Sequence, residues 1–439
     1  MKFHDGSDLA SEDVLWTLDH LFGPQAVEYV GQSTLVRIAR GVDRIELSGP
    51  DKVCVTTELP VLEVGDAIAE TGGQWYHIMP KRATLRNEAE ELAYDNDPIG
   101  AGPMKLVGHT PAQVMEFERF DDFYFQPETG LPEDRRVNFQ SLDLFLMPDE
   151  ATRVAAIRAG EADIVPASLA TKEQVEAGGG RLVFGPEGVY IWTRLFGCYE
   201  PQYPCSDKRV RQALDYAIDR EVMRDQLYGG PEVFQVKGWS VVTPSTIGYT
   251  PELDPRPFDP DKARQLLADA GYPGGEGFGK LIVHTNPSIA MPFVVEAAQL
   301  AADSWIRELG LDVEVRVGDD SGLKKLEISG GLNGQIWWRD NEARKDPLTV
   351  LGRYGDPENP SRLSEDPEIT RLVQETVQIV DPDQRAEAYK KLFSRLRDES
   401  YELSLGYVNI PWAVGPRVQT WSPYPLSPWV SALHTITLK

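Results

Sequence analysis

The chain has 439 residues, of which 44 are lysine or arginine and 69 are aspartate or glutamate, so its net charge is −25. An acidic surface repels phosphate backbones and is not attracted to anionic lipid, which argues against a protein that binds nucleic acid or a membrane surface. The length allows two or three domains with sizeable cores, and no run approaches the roughly eighteen apolar residues of a transmembrane helix.

The first third of the chain alternates between helix and strand. Residues 8–22 carry apolar side chains at helical spacing, and 33–60 predict short strands with a turn at 49–51. The segment 96–103 is dense in glycine and proline and leads into a strand at 104–107, so it marks either a domain border or a sharp turn. Further strands are predicted at 113–118 and 141–147.

The remaining part of the chain continues this alternation with longer helices. A helix at 149–160 begins with acidic residues and ends at Gly160, as the helix dipole and a C-terminal glycine cap favour. More helices are predicted at 207–227, 259–270, 292–309, 366–380 and 383–399. Strands are predicted at 189–196, 281–285, 312–317 and 403–409. The pattern predicts an α/β fold.

Three cysteines are too few for a disulfide scaffold. Cys54 lies in an alternating, strand-like run and is expected to be a small buried side chain. Cys198 and Cys205 flank a loop with two prolines, and the sequence leaves open whether they form a local disulfide. Neither their spacing nor the neighbouring residues suggest a metal site.

The side chains that usually carry catalysis form no recognisable motif. The six histidines are scattered, and the sequence has neither a His-Glu-x-x-His motif nor a Gly-x-Ser-x-Gly motif. The glycine-rich segment 274–281 has the spacing of a phosphate loop, but Leu281 stands where a magnesium-binding serine or threonine is needed. A hydrolase with paired carboxylates is an alternative that no motif supports. We therefore expect no enzyme activity, no cofactor and no metal.

Five short segments form a pattern that extends along most of the chain. They are KFHDGSDLASEDV at 2–14, PIGAGPMKL at 98–106, RVAAIRAGEADI at 153–164, DKRVRQALDYAIDR at 207–220 and FDPDKARQLLADAGYP at 258–273. In this order they resemble the family 5 (peptide- and nickel-type, cluster C) extracellular solute-binding proteins of bacterial ABC transporters. Asp207 is expected to cap a helix and Gly271 to end one, while Gly100 and Gly102 are expected to adopt backbone angles that a β-carbon would forbid.

The resemblance implies a two-lobed, periplasmic-binding-protein-like α/β fold (type II, cluster C) that closes by hinge motion around a ligand. Lobe I would comprise 1–190, with an extra subdomain at about 1–95, and would be rejoined by 418–439, with 191–417 as lobe II. The hinge strands would lie near 190–192 and 418–421. The protein would be a monomer that captures a peptide or similar small solute and delivers it to an ABC permease.

The resemblance also bears on the N-terminus and on the location of the protein. Family members carry a signal or lipoprotein sequence and the first strands of lobe I ahead of the KFHDG segment. Residues 1–6 have no signal-peptide pattern, so we expect the sequence to start downstream of the usual N-terminus and to lack those strands. By resemblance, the location is the periplasm, or the cell surface as a lipoprotein.

The segment 335–347 resembles the Gly-Trp-x-x-Asp-x-x-Asp-Pro stretch at the ligand cleft of this family. In its peptide binders the first aspartate pairs with the ligand's α-amino group, and the corresponding residue here is Asp340, three residues after Trp337. A buried ammonium needs a carboxylate partner, and a tryptophan can supply an apolar wall. The resemblance therefore implies a set of ligand-binding residues, which are Asp340, Trp337, Trp338 and Asn341, with Tyr190 and Trp192 at the hinge.

Departures from the family pattern leave the ligand open. The loop after Asn341 is longer and carries Glu342, Arg344 and Lys345, while 284–294 has no arginine to clamp a carboxylate. Longer peptides remain candidates, as do oligosaccharides, and the few histidines argue against nickel. A chemosensory or peptide-holding receptor on the same fold is another alternative. The alternative to a ligand-binding role is a structural one, in which Asp340 belongs to a surface loop and pairs with Arg339 or Lys345.

Overall fold

The structure is a computed structural model that describes residues 1–23, 41–57, 77–83, 93–125, 130, 135–288, 291 and 293–439. Within them the α-helices are α1 (Ser11–Phe22), α2 (Glu150–Ala159), α3 (Lys172–Ala177), α4 (Lys208–Tyr216), α5 (Arg220–Val222), α6 (Pro260–Asp269), α7 (Val294–Leu309), α8 (Asp320–Ile328), α9 (Gly352–Gly355), α10 (Pro367–Thr376) and α11 (Pro382–Glu399). No helix in these ranges is long and apolar enough to cross a membrane.

The strands of the same residues are β1 (Val42–Leu47), β2 (Val53–Thr57), β3 (Met104–Thr110), β4 (Val114–Arg119), β5 (Ser141–Phe145), β6 (Ile164–Pro166), β7 (Arg181–Leu195), β8 (Phe234–Gln235), β9 (Lys280–Thr285), β10 (Asp312–Val317), β11 (Ile336–Glu342), β12 (Tyr407–Val414), β13 (Val418–Thr420) and β14 (Thr437–Leu438). Helices and strands alternate through most of the described chain, which confirms the predicted α/β class.

The largest sheet has seven strands in the order β10-β9-β11-β7-β12-β6, with β8 beside β12. β9 runs parallel to β10 and β11, whereas β11 and β12 are antiparallel to β7. The main hydrophobic core packs around this sheet and contains the fully buried rings of Trp305, Trp337 and Trp338. Three smaller sheets join β1 to β2, β13 to β14, and β3 to β4 to β5.

Strand β7 is fifteen residues long, and its second half contains residues 189–195 of the predicted strand 189–196. That half pairs with β11, while β12 pairs with β7 from Arg181 to Tyr190. The register of β12 shifts between Val408 and Ile410. Opposite this shift Glu187 has a left-handed φ of 54°, and its backbone N–H donates to Asn409 Oδ1 at 2.9 Å. The long strand is therefore irregular at one point.

Two predicted elements have different bounds in the structure. The predicted helix 207–227 is interrupted after Tyr216, because the carboxylate of Asp219 accepts the N–H of Val222 and begins a new helix there. The predicted strand 403–409 begins only at Tyr407, because Gly406 has a φ of 129° and approaches the Gln235 carbonyl so closely that a β-carbon would clash. In both cases a local backbone feature sets the boundary.

The expectation for Gly100 and Gly102 is wrong, since neither has a positive φ. Instead, the first family-like segment packs on the second. The backbone N–H of His4 donates to the Gly100 carbonyl at 2.8 Å, and His4 Nε2 lies 3.0 Å from the Gly102 carbonyl. A β-carbon on residue 100 would lie only 3.3 Å from the His4 ring. The close approach of this ring therefore explains why the position is a glycine.

The three cysteines have two different roles. Cys198 and Cys205 form a disulfide, which decides the question that the sequence left open. Cys54, on β2, is a free thiol and is half-buried rather than buried. The helix caps follow expectation, since Asp207 accepts the N–H of Arg209 at 2.8 Å and Gly271 has a left-handed φ of 99° after α6.

Candidate ligand-binding site

The end of β11 that extends past β9 places one carboxylate at the edge of the parallel part of the sheet. The last pair between these strands joins Trp338 to Thr285, and Asp340 lies two residues further, opposite Ile191 of β7. In open α/β sheets, ligands bind in the crevice outside the carboxyl ends of the strands. Asp340 therefore occupies a position suited to ligand binding.

The side chain of Asp340 makes one hydrogen bond and no ion pair within the described part of the chain. Ser288 Oγ donates to Asp340 Oδ2 at 2.9 Å. The neighbouring guanidinium of Arg339 pairs instead with Asp320, at 2.9 Å between Nη1 and Oδ1. The structural alternative in which Asp340 pairs with Arg339 or Lys345 is therefore wrong. A half-buried carboxylate with no cation beside it favours a positively charged partner from outside the protein.

Tyr228 is a buried residue whose phenol feels the charge of this carboxylate, and the sequence analysis missed it. The side chain is 3% exposed, and its ring stacks on Phe234 at 4.8 Å and meets Phe293 edge-on at 6.0 Å. Burial raises the pKa of Tyr228, and the negative charges of Glu296 and Asp340 raise it further. The phenol is therefore neutral, and its hydroxyl has no hydrogen-bond partner in the described chain. Buried hydroxyls are normally paired, so this one suits a ligand or an ordered water.

The predicted site residues of β11 lie on both faces of the sheet. Side chains alternate along a strand, and the register with β7 is regular over the whole of β11. Trp338 and Asp340 thus share one face, while Trp337 and Asn341 share the other. Trp337 is completely buried, and its indole N–H donates to Asn286 Oδ1 at 3.1 Å. The structure therefore brings Trp338 to the face of Asp340 and leaves Trp337 on the opposite face.

A row of buried polar groups crosses the sheet beside Asp340. Thr285 and Thr193 are the neighbours of Trp338 on β9 and β7, and all three are at most 1% exposed. Their two hydroxyls and the Trp338 indole N–H have no partner within the described ranges. Trp338 also meets Trp305 edge-on at 6.3 Å. This face of the sheet is therefore a place where ordered water or a polar ligand group is expected.

The two predicted hinge residues lie in the second half of β7. Tyr190 is 1% exposed and pairs with Asn341 of β11 on one side and Tyr407 of β12 on the other. Burial raises the pKa of Tyr190, and the nearby carboxylate of Glu402 adds to the effect. The backbone of Trp192 pairs with β11, but its side chain lies outside the described part of the structure. Tyr190 is thus a core residue close to Asn341.

A second missed aromatic residue lies at the carboxyl end of β11, two residues beyond Asp340. Trp429 is 47% exposed, and its indole N–H donates to Glu342 Oε1 at 3.1 Å. This contact joins the C-terminal segment to the strand that carries Asp340. Neither Tyr228 nor Trp429 belongs to a local motif, and both are distant from Asp340 in the sequence, so no pattern signals their position.

We call Asp340, Ser288, Tyr228, Phe293 and Glu296 the Asp340 cluster. Its carboxylates and hydroxyls can hold an ammonium group by charge and by charge-assisted hydrogen bonds, and its aromatic rings can pack against the carbon atoms of the ligand. No group of three or more histidine, cysteine, aspartate or glutamate side chains that could hold a metal ion occurs among the described residues.

Comparison with known proteins gives relatives and structures of one kind. The chain is 25% identical over 332 residues to the glutathione-binding protein GsiB of Pectobacterium atrosepticum and 26% identical over 341 residues to that of Salmonella typhimurium. Each match covers 75% of this chain and 58% of the relative, so the match spans less than two thirds of each relative's length.

Solved structures match the fold over the whole chain. The substrate-binding protein CtaP of Listeria monocytogenes has a TM-score of 0.78 at 21% identity, covering 100% of this chain and 86% of that one. The oligopeptide-binding protein AppA of Bacillus subtilis, in complex with a nonapeptide, has a TM-score of 0.74 at 18% identity, covering 100% and 85%. These similarities confirm the two-lobed periplasmic-binding-protein fold.

A family model agrees with the five segments found in the sequence. The model of the bacterial extracellular solute-binding proteins, family 5, matches residues 1–365. Since this match covers most of the chain, the protein belongs to the family 5 bacterial extracellular solute-binding proteins.

Proposed function

We propose that the protein is the solute-binding component of an ABC importer and that it captures a solute through a cationic nitrogen, such as the free amino end of a peptide. The Asp340 cluster would hold that nitrogen, and the protein would deliver the solute to a membrane permease. It would act as a monomer in the periplasm or at the cell surface, without catalysing a reaction. Family membership and the names of the relatives, which include glutathione- and oligopeptide-binding proteins, support this role.

One observation carries the choice of a cationic group. The Asp340 carboxylate accepts a hydrogen bond from Ser288 but has no cation beside it, and the unpartnered hydroxyl of Tyr228 lies in the same cluster. An ammonium would pair with the carboxylate and could donate to the tyrosine hydroxyl. It would thereby supply the partners that both groups lack.

The lobes would meet at the irregular part of β7 and β12. We assign 1–190 and 418–439 to lobe I, with an extra subdomain at about 1–95, and 191–417 to lobe II. Under this assignment, the hydrogen bond between Trp429 and Glu342 joins lobe I to lobe II at the end of β11. Trp429 would then form one wall of the cleft, while Trp338 and the Asp340 cluster would belong to lobe II. Asn341, Trp337, Tyr190 and Trp192 would support β11 from its other face or from the hinge.

Calorimetric titration with Ala-Ala-Ala and with its N-acetylated form tests this function. We expect binding of the free tripeptide and loss of binding on acetylation, which removes the positive charge. Asp340→Asn should weaken binding at least about thirtyfold, because it removes one charge of a half-buried charged pair. Asp312→Asn is the matched control, since this exposed carboxylate lies at the amino end of β10.

Equal binding of the free and acetylated peptides, or an Asp340→Asn variant with unchanged affinity, would contradict the proposed role of Asp340. The oligosaccharide alternative is tested in the same experiment with maltotriose. The exposed ring of Trp429 could stack on a sugar, so maltotriose binding that is lost in Trp429→Ala would favour that alternative.

A further inference from the structure

Glu187 is the irregular residue of β7, and it lies close to the proposed border between the lobes. Its φ of 54° is left-handed, which is unfavourable for a residue with a β-carbon. The register of β12 shifts opposite this residue, and the Glu187 N–H donates to Asn409 Oδ1 at 2.9 Å. A strained backbone angle persists only where surrounding contacts hold it in place.

The side chain of Glu187 makes such contacts. Its carboxylate accepts both donors of one residue, the N–H of Ser245 at 3.0 Å and the hydroxyl of Ser245 at 2.9 Å. Under the lobe assignment given above, Glu187 belongs to lobe I and Ser245 to lobe II. We call these two hydrogen bonds the Glu187 clasp.

The loop that makes the clasp is also attached to the segment after β11. Thr246 is buried, and its hydroxyl donates to the Arg344 carbonyl at 2.7 Å. The N–H of Ile247 donates to the Lys345 carbonyl at 2.8 Å. Since β11 ends at residue 342, both acceptors lie just beyond the strand that carries Asp340. The clasp therefore links β7 to the segment that follows this strand.

The residue before Glu187 is attached to the other lobe. The carbonyl of Pro186 accepts the N–H of Leu426 at 3.0 Å, in the C-terminal segment that is assigned to lobe I. Consecutive residues of β7 thus bind groups that belong to different lobes. A rotation of one lobe relative to the other must break one of these attachments or change the backbone angles between them.

We propose that Glu187 is a conformational switch of the hinge. The clasp holds the lobes closed, and opening breaks the clasp and releases Glu187 from its left-handed φ. This inference rests on the proposed function and its lobe assignment. The hydrogen bonds of the clasp favour the closed form and the backbone angle opposes it, so their balance sets the closed fraction and hence the affinity for the solute. Glu187 is a positioning residue, because it acts through the loop of Ser245 and does not touch the solute.

Two substitutions of Glu187 separate the side chain from the backbone angle. Glu187→Ala removes the clasp and keeps a β-carbon, whereas Glu187→Gly removes the clasp but adopts a left-handed φ without steric cost. In calorimetric titration with Ala-Ala-Ala, we expect the alanine variant to bind about tenfold more weakly than the natural sequence. The glycine variant should bind about fivefold more tightly than the alanine variant. A residue with the same φ in the open and closed forms would give equal affinities for the two variants.

Small-angle X-ray scattering of the ligand-free protein is a second measurement, and it needs no solute. The radius of gyration should be larger in Glu187→Ala than in the natural sequence and intermediate in Glu187→Gly. Ser245→Ala removes only the hydroxyl, so it should shift the affinity and the radius in the same direction by less. The matched control is Ser7→Ala, because Ser7 donates its N–H and its hydroxyl to Asp5 at 3.0 and 2.7 Å within lobe I. It should change neither quantity.

The outcomes separate this inference from the proposed function. An affinity and a radius of gyration that are unchanged in Glu187→Ala would overturn the inference and leave the proposed function intact. Equal affinities of the alanine and glycine variants would overturn the change in φ. If the natural sequence bound no tripeptide, the proposed function would be contradicted, while the radius of gyration would still decide whether the clasp holds the lobes closed. Ser245→Ala decides the same question if the Glu187 variants do not fold.

Discussion

Trp337 and Asp340 lie three residues apart on β11, and their side chains point to opposite faces of the sheet. Trp337 has no exposed surface and donates to Asn286, whereas Asp340 is half-buried and accepts from Ser288. The guanidinium of Arg339 lies 4.9 Å from the Trp337 ring on the same face. Trp337 therefore packs against β11 on the face of the sheet opposite the Asp340 carboxylate.

This arrangement predicts that substitutions of the two residues have different effects. Trp337→Phe should lower the free energy of unfolding by about 1–3 kcal/mol, because it leaves the amide of Asn286 without its buried partner. The affinity for a tripeptide should change less than about twofold, whereas Asp340→Asn should weaken binding at least about thirtyfold at similar stability. Urea unfolding and calorimetric titration measure the two effects. A Trp337→Phe variant that loses affinity without losing stability would show that the ring contacts the ligand.

A buried ion pair between β7 and the segment ahead of β12 predicts a large loss of stability. Arg194 Nε lies 2.8 Å from Glu402 Oε1, and the two side chains are 1% and 2% exposed. The hydroxyl of Ser240 donates to the other carboxylate oxygen. Glu402→Gln should lower the free energy of unfolding by about 3–5 kcal/mol, because the guanidinium of Arg194 would remain buried without its main counter-charge.

The control for this prediction is an exposed pair on β10. Glu314 lies 2.7 Å from Arg316, and its side chain is 38% exposed. Glu314→Gln should cost less than about 1 kcal/mol. Urea unfolding of both variants provides the comparison. A similar loss of unfolding free energy in Glu402→Gln and Glu314→Gln would contradict the prediction that burial makes the Arg194–Glu402 pair costly to break.

The sequence predicts the fold class and the carboxylate but not the surroundings of that carboxylate. Alternating helices and strands, together with the ordered family-like segments, indicate the two-lobed α/β fold, and Asp340 follows from the segment after Trp337. That Trp337 and Asp340 lie on opposite faces could also have been inferred, since two residues an odd number of positions apart on a strand point to opposite faces of the sheet. The positions of Tyr228 and Trp429 could not be predicted, because they depend on the packing of segments that are distant in the sequence.

The element boundaries that the sequence misplaces have local causes. Apolar periodicity continues from 207 to 227, but the capping carboxylate of Asp219 competes with the helix and starts a new one. Likewise, 403–405 alternate like a strand, while Gly406 takes a φ of 129° where the chain passes close to Gln235. Periodicity detects the buried face of a segment but not a cap or a close backbone approach.

The packing of His4 on the second family-like segment predicts a pH dependence of stability. Burial lowers the pKa of His4 below its usual 6.5, and Lys105 contributes in the same direction, while the hydrogen bond to Gly102 and the charge of Asp5 oppose the change. Between this lowered pKa and about pH 6.5, the unfolded chain therefore binds more protons than the folded chain. Stability should fall as the pH drops through this range and level off below the lowered pKa.

His4→Gln tests this dependence, because glutamine can still donate to the Gly102 carbonyl but does not titrate. The unfolding free energy of the variant, measured in urea from pH 7.5 to 5, should fall less steeply than that of the natural sequence. Parallel curves for the two proteins would show that another group causes the dependence.

The disulfide between Cys198 and Cys205 lies at the opposite end of β11 from the Asp340 cluster. Next to it is a cavity of about 230 Å³, lined by residues that include Cys205, Leu214 and Ile336, the first residue of β11. The disulfide joins two cysteines that are seven residues apart, and closing this loop restricts the unfolded chain. The double variant Cys198→Ser, Cys205→Ser should therefore lose about 2.5 kcal/mol of unfolding free energy. Reduction of the natural protein in urea should give the same loss.

The affinity for a tripeptide should not change in the double variant, since Asp340 lies four residues after Ile336 on β11 and the sheet pairs of the strand remain. The single variant Cys54→Ser is the control, because that thiol is free and lies on β2. It should change neither the stability in the presence of reductant nor the affinity. A double variant that unfolds normally but binds no peptide would mean that the disulfide loop, through its contacts with the start of β11, helps to position Asp340.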